Sequence, residues 1–141
     1  MSIRPMQQAD LDAVMDLWLE ANLQAHAFIP AAYWHRHAPQ VRVLLPQAQV
    51  WVYERAAHIC GLIGVQQDYV AGLFVARPQR SKGIGHQLLH TVKAQHERLA
   101  LSVYQRNEGA VRFYRREGFV TVDVQMDPDT GACECHMAWR R

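Results

Sequence analysis

The spacing of apolar residues changes several times along the chain, and each change marks an element. Ser2 to Met6 reads as a short strand. Asp10 then opens a helix in which Leu11, Val14, Met15 and Trp18 keep the i, i+3, i+4, i+7 spacing of one apolar face. From Ala25 to Pro39 the pattern breaks up into His26, Phe28, Pro30, Tyr33, Trp34, His35 and His37, which predicts a broken or short helix carrying aromatic residues near a surface, a candidate substrate wall. Val50 to Glu54 and Ile59 to Val65 are β-branched or aromatic runs separated by a few residues, as in an antiparallel hairpin, and Val70 to Ala76 supplies a third strand that Pro78 ends. Gly83 to Leu99 returns to helical period through Ile84, Leu88, Val92 and Leu99. Leu101 and Val103 alternate as a strand, and Ala110, Phe113 and Tyr114 form a helix that Gly118 stops. Two further strands, Phe119 to Met126 and Cys133 to Trp139, flank the turn-rich segment Asp127 to Gly131. Strands and helices in this order predict an α+β domain, a largely antiparallel sheet with helices on its faces.

Composition agrees with one folded domain over residues 1–141: half of the residues are hydrophobic and a fifth charged, enough for a packed core without disulfides or metal. A formal net charge of +2 is too small for an extended nucleic-acid surface, so any basic site is expected as a spot. Asp10, Asp12, Asp16 and Glu20 interrupt the first helix, so neither a signal peptide nor a membrane span can be drawn there. Cys60, Cys133 and Cys135 make an odd set without a disulfide framework. These features predict a cytoplasmic protein.

The densest chemical signal is Arg80-Ser81-Lys82-Gly83-Ile84-Gly85, set between a strand and a helix. A helix start offers backbone N–H groups without intrahelical partners and the positive end of the helix dipole, both attractive to phosphate oxygens. Gly83 and Gly85 allow close approach to the backbone, and Arg80 and Lys82 add charge. Leu88 replaces the last glycine of a dinucleotide-binding fingerprint, and His86-Gln87 replaces the Lys-Ser/Thr of a Walker loop.

Leu73 to Leu89, with its Arg-x-x-Gly-x-Gly core, resembles the pyrophosphate-binding segment of the GNAT superfamily of N-acetyltransferases. The stretch Asn107-Glu-Gly-Ala-Val-Arg-Phe-Tyr-Arg-Arg-Glu-Gly-Phe119 resembles its second motif in order and spacing. The resemblance implies a mixed, largely antiparallel sheet of about seven strands with helices on both faces. It implies acetyl-CoA as cosubstrate and an amine acceptor, with Leu73, Phe74 and Val75 pairing with the pantetheine arm in a V-shaped opening, and Arg80, Ser81, Lys82, Gly83, Ile84 and Gly85 holding the pyrophosphate. It places Asn107 beside the cofactor, a residue equally suited to capping a helix. It gives Tyr114 the role of general acid toward the departing thiolate, a role a neutral phenol can fill. On spacing alone Tyr114 is one more aromatic on the inner face of its helix.

An acceptor ammonium must lose a proton before it attacks, and some relatives use a glutamate where Ser102 stands. Asp68 and His26 are the alternatives nearest the acceptor side, with Phe28 packed beside His26. The compact bacterial relatives that this chain resembles act on proteins, so the expected acceptor is a protein lysine or an N-terminal amine. Two alternatives remain open: a small-molecule amine, for which Tyr33, Trp34 and His26 would close a pocket, and a non-catalytic acyl-CoA sensor. His86 with His90, and Cys133 with Cys135 and His136, each lack a complementary ligand set, so no metal site is expected. The chain is expected as a monomer or homodimer.

Overall fold

The computed structural model describes residues 2–77 and 82–141. Its element order is β1 (Ser2–Pro5), a short 3-10 turn (Gln8–Asp10), α1 (Leu11–Ala25), α2 (Ala31–Leu44), a second 3-10 turn (Leu45–Gln47), β2 (Gln49–Arg55), β3 (His58–Gln66), β4 (Tyr69–Val75), α3 (Ile84–Lys93), β5 (Arg98–Tyr104), α4 (Glu108–Arg116), β6 (Val120–Met126) and β7 (Cys133–Arg140). The seven strands form one sheet in the order β1-β2-β3-β4-β5-β7-β6. Every neighbouring pair is antiparallel except β4 and β5. No described helix is long and apolar enough to cross a membrane.

Alternation along the strands sorts side chains to two faces. Val50, Val52 and Leu62 pack with Val14 and Leu17 of α1, whereas Ile63 packs with Ile84, Leu88, Leu89 and Val92 of α3. Helix α4 joins this second face through Val111 and Tyr114, against Val103, Phe119 and Met137. Helix α2 lies outside α1, where Trp34 packs with Trp18, Ile29 and Tyr104. Gly61 lets α3 sit close to β3: a Cβ there would lie 3.0 Å from Ile84 and 3.1 Å from Leu88.

The parallel pair is short. Tyr69 pairs with Ala100 and Val70 with Leu101, and the register goes no further. At that point Ala71 is an extra residue opposite β3, because Gly64 faces Gly72 while Val65 faces Val70. A bulge bends the strand that carries it and increases its twist. It thereby turns the second half of β4 away from β5 and opens the sheet.

Two expectations are corrected. The helical spacing running to Leu99 does not describe one helix: α3 ends at Lys93, and Leu99 lies in β5, buried in the same cluster as Leu88 and Val92. Its i+7 relation to Val92 reflects a shared core rather than a shared helix. The segment from Ala25 to Pro39, expected as a broken or short helix, is broken only at its start, and the helix that follows is not short. A turn at His26–Pro30 separates α1 from α2, and α2 continues through Pro39. The proline removes one backbone donor on an outer helix of which only Trp34 is buried.

Candidate active site

Where β4 and β5 part, a cleft of about 530 Å³ opens between the end of β4, the start of α3 and the inner side of α4. Leu73, Val75, Gly83, Gly85, Phe113 and Tyr114 are among the residues lining it. A second cavity of about 280 Å³ lies toward α1, lined by His26, Phe74 and Asn107 and sharing Leu73, Val75, Gly109 and Ala110 with the first. The shared residues mark the place where the two cavities approach each other through the gap in the sheet.

Gly83 precedes α3 with φ of 80°, a left-handed conformation that favours glycine, so the chain turns sharply into the helix. Gly85 keeps α3 and α4 close across the cleft, since a Cβ there would lie 3.3 Å from the Phe113 ring. Ile84 between them is buried at the start of α3 and is among the residues lining the cleft, while Lys82 is exposed at its approach. Arg80 and Ser81 lie outside the described residues.

Asn107 caps α4: its Oδ1 accepts from the Ala110 N–H at 3.4 Å. That contact turns Nδ2 toward His26, whose Nε2 lies 3.4 Å away. An amide NH₂ can only donate, so Nε2 accepts and the imidazole proton sits on Nδ1. Nδ1 is buried without a hydrogen-bond partner among the described residues. The ring is stacked on Trp34 at 5.1 Å and met edge-on by Phe28 and Tyr104. Burial pushes the His26 pKa down to about 4, so the ring is neutral at pH 7.

Tyr114 is buried between Phe113 and Phe119 and lines the larger cleft. Desolvation raises its pKa well above that of an ordinary phenol, which keeps it a proton donor at neutral pH.

On the α1 and α2 side, Tyr104 donates to Asp127 Oδ2 at 2.8 Å and so ties the β6–β7 turn to the aromatic cluster around His26. The Tyr104 pKa is raised, first by burial and then by its bond to Asp127. Asp127, Asp129 and Glu134 all act electrostatically on Tyr33, and Glu134 is held above the usual carboxylate range by burial and by Asp127. Arg106, 4.8 Å over the Phe28 ring, is the cation among these groups, so three carboxylates stand here against one guanidinium and the balance is negative.

The structure brings together Leu73, Phe74, Val75, Gly83, Ile84, Gly85, Asn107, Tyr114, His26 and Phe28. It does not bring Asp68 to them. Asp68 sits in the β3–β4 turn at the opposite end of β4, paired with His96 at 3.1 Å and Arg98 at 3.4 Å. Five residues along β4 separate it from Leu73, the first cleft residue of the strand, by about 16 Å at the usual rise per residue. Sequence reasoning missed Tyr104, and it read His86 only as half of a rejected metal pair and Phe113 only as part of a helical face. Tyr104 gave no local signal, because its partner Asp127 is 23 residues away and meets it only through the folding back of β6 and β7.

A family model described as an acetyltransferase (GNAT) domain matches residues 20–140. Over 139 residues the chain is 37% identical to the peptidyl-lysine N-acetyltransferase YiaC of Escherichia coli, a match covering 97% of this chain and 95% of YiaC. It is 28% identical over 120 residues to the peptidyl-lysine N-acetyltransferase YjaB of Escherichia coli, covering 84% of this chain and 81% of YjaB. The solution structure of apo YjaB from Escherichia coli matches with a TM-score of 0.86 at 24% identity, over 98% of this chain and 96% of that one. The crystal structure of the PaiA N-acetyltransferase of Thermoplasma acidophilum with coenzyme A matches with a TM-score of 0.76 at 16% identity, over the whole of both chains. At these identities the two structures speak for the fold alone.

Proposed function

The chain belongs to the GNAT family of N-acetyltransferases, and from that premise we propose that it transfers the acetyl group of acetyl-CoA to a lysine side chain of a protein. The observation that carries the reading is the gap between β4 and β5, with the larger cleft on one side and the His26–Asn107 cavity on the other. Two substrates entering from opposite faces meet there without either having to leave before the other binds.

The cleft fits the cosubstrate in shape and chemistry. Leu73 and Phe74 lie beyond the last residue of β4 that pairs with β5, and alternate backbone groups there point away from β3, where an extended amide-bearing arm can bond them. Gly83 to Gly85 offer the helix-start N–H groups and, with Lys82, positive charge for a pyrophosphate. A Cβ at Gly85 would press on Phe113 and narrow the cleft.

In the transfer the neutral amine nitrogen bonds to the thioester carbonyl carbon, the C–S bond breaks, and the sulfur takes a proton. Tyr114 supplies that proton from its hydroxyl and is restored by the proton that the attacking nitrogen sheds as it becomes an amide. The ammonium must first lose a proton, and Asp127, Asp129 and Glu134 draw a cationic side chain to the acceptor side. His26, neutral and with its Nε2 lone pair taken by Asn107, anchors Asn107 at the acceptor cavity rather than storing the amine's proton, because a base with a pKa of about 4 does not hold a proton at pH 7. The negative acceptor side and the similarity to two peptidyl-lysine N-acetyltransferases support lysine over a neutral acceptor.

Free-thiol release from acetyl-CoA tests the reading, measured with folded proteins and lysine peptides, N-terminal amines, polyamines and aminoglycosides, and followed by mass spectrometry of the product. Lysine-dependent release is expected. Release only with small amines would replace the acceptor class, and tight CoA binding without release on any amine would favour a sensor.

A further inference from the structure

The larger cleft has two chemically different ends. At the inner end Leu73, Val75, Gly109 and Ala110 also line the His26–Asn107 cavity, so the thioester belongs there. At the outer end stand His86 of α3 and the last turn of α4, with Arg116 and Glu117. Gly109, Ala110, Phe113, Tyr114, Arg116 and Glu117 recur at the spacing of one helical face, and all six line the cleft. Ala110 and Arg116 are about 9 Å apart along the axis at the usual rise. Arg112 and Arg115 are exposed and do not line the cleft.

The charges at the outer end are unequal. The carboxylate of Glu117 is engaged, with Oε1 and Oε2 at 2.7 and 2.9 Å from His86 Nδ1, and its side chain is only 13% exposed. Arg116 forms no ion pair or hydrogen bond with another side chain among the described residues. The outer end therefore presents one uncompensated guanidinium.

We propose that Arg116 is a cofactor-specificity residue that binds the ribose 3′-phosphate of coenzyme A. The assignment rests on the acetyl-CoA reading above. With the thioester at the inner end, the apolar Leu73, Val75 and Phe113 accompany the pantetheine arm, and the start of α3 takes the pyrophosphate. The nucleotide must then leave at the outer end, past Arg116. Its 3′-phosphate is a monoester with close to two negative charges, and a guanidinium binds such a group through two parallel N–H···O bonds. A purely structural role is available to Arg116, since a cation in the last helical turn complements the helix dipole, but Arg115 fills that role equally and faces away from the cleft.

The test compares acetyl-CoA with acetyl-3′-dephospho-CoA for the wild type, Arg116→Gln and Arg115→Gln, together with calorimetric Kd values for CoA and 3′-dephospho-CoA and a Tm for each protein. A charge-assisted bond of this kind implies a preference for the 3′-phosphorylated donor of roughly tenfold or more in KM. Arg116→Gln is expected to raise KM for acetyl-CoA to the value for the dephospho donor, leaving kcat and the dephospho KM unchanged, while Arg115→Gln behaves as wild type. An equal rise for both donors would point to the pyrophosphate or to structure and overturn the assignment, as would no rise for either. The Kd values decide the same question if turnover is absent. A wild type that binds neither CoA nor its dephospho form overturns the acetyl-CoA reading itself, whereas a wild type that binds both without preference overturns only the role of Arg116.

Discussion

Two residues at the centre of the site owe their chemistry to burial, with opposite consequences. Tyr114 is kept protonated by desolvation, so the acid limb of the reaction should persist through the whole alkaline range that the fold survives. Tyr114→Phe preserves the ring packing against Phe113 and Phe119 and removes only the proton. It is expected to lower kcat about a hundredfold while leaving the Kd for CoA and the Tm near wild type, as measured by steady-state kinetics, calorimetry and thermal unfolding. His26 is kept unprotonated by the same effect. Its folded pKa of about 4 lies below the ordinary 6.5, so the unfolded chain takes up a proton first as pH falls. The stability present above pH 6.5 is therefore lost on acidification toward pH 4, and between pH 7 and pH 5 the His26 share of the loss is about 2 kcal/mol. Urea unfolding of His26→Phe, which keeps an aromatic ring beside Trp34, should show a shallower fall in stability over that interval. An identical slope in both proteins would mean that His26 is not held neutral.

Elements here are shaped by a few backbone decisions. The bulge at Ala71 ends the pairing of β4 with β5 and so creates the space that both cavities use. Gly83 turns the chain into α3, and Gly118, with φ of 95°, ends α4 beneath the edge of Trp139. One turn uses less suitable residues. The β2–β3 hairpin closes on Ala56 and Ala57, with φ of 52° and 65°, the left-handed pair that Asn-Gly fills more easily. Left-handed backbone costs an alanine about 1 kcal/mol or more. Replacing the pair by Ala56→Asn and Ala57→Gly should therefore raise stability by about 1 kcal/mol in chemical denaturation without altering KM for acetyl-CoA, because the turn lies away from the residues lining the cleft.

At the scale of the molecule, the sheet keeps the two ends of β4 apart. Asp68, held by His96 and Arg98, belongs to the end where β4 and β5 still pair, and the cleft belongs to the end where they have parted. Asp68→Asn should leave kcat and KM for both substrates within about twofold of wild type in the thiol-release assay. A large loss would return Asp68 to the site. Local features were legible in the chain itself: the strands and helices, the turn at Asp127 to Gly131, the glycine-marked start of α3, and the capping asparagine ahead of Ala110. Backbone geometry and hydrogen bonding determine these over a few residues, and the residues that satisfy them are neighbours in sequence. The helical spacing carried on to Leu99 misled for a related reason, since burial in a common core imposes apolar residues on a helix and a strand alike. What only the tertiary structure decided were meetings between distant residues: His26 with Asn107, Tyr104 with Asp127, His86 with Glu117, and the separation of Asp68 from all of them. Such meetings follow from sheet order and from where β4 leaves β5, and no short stretch of sequence encodes either.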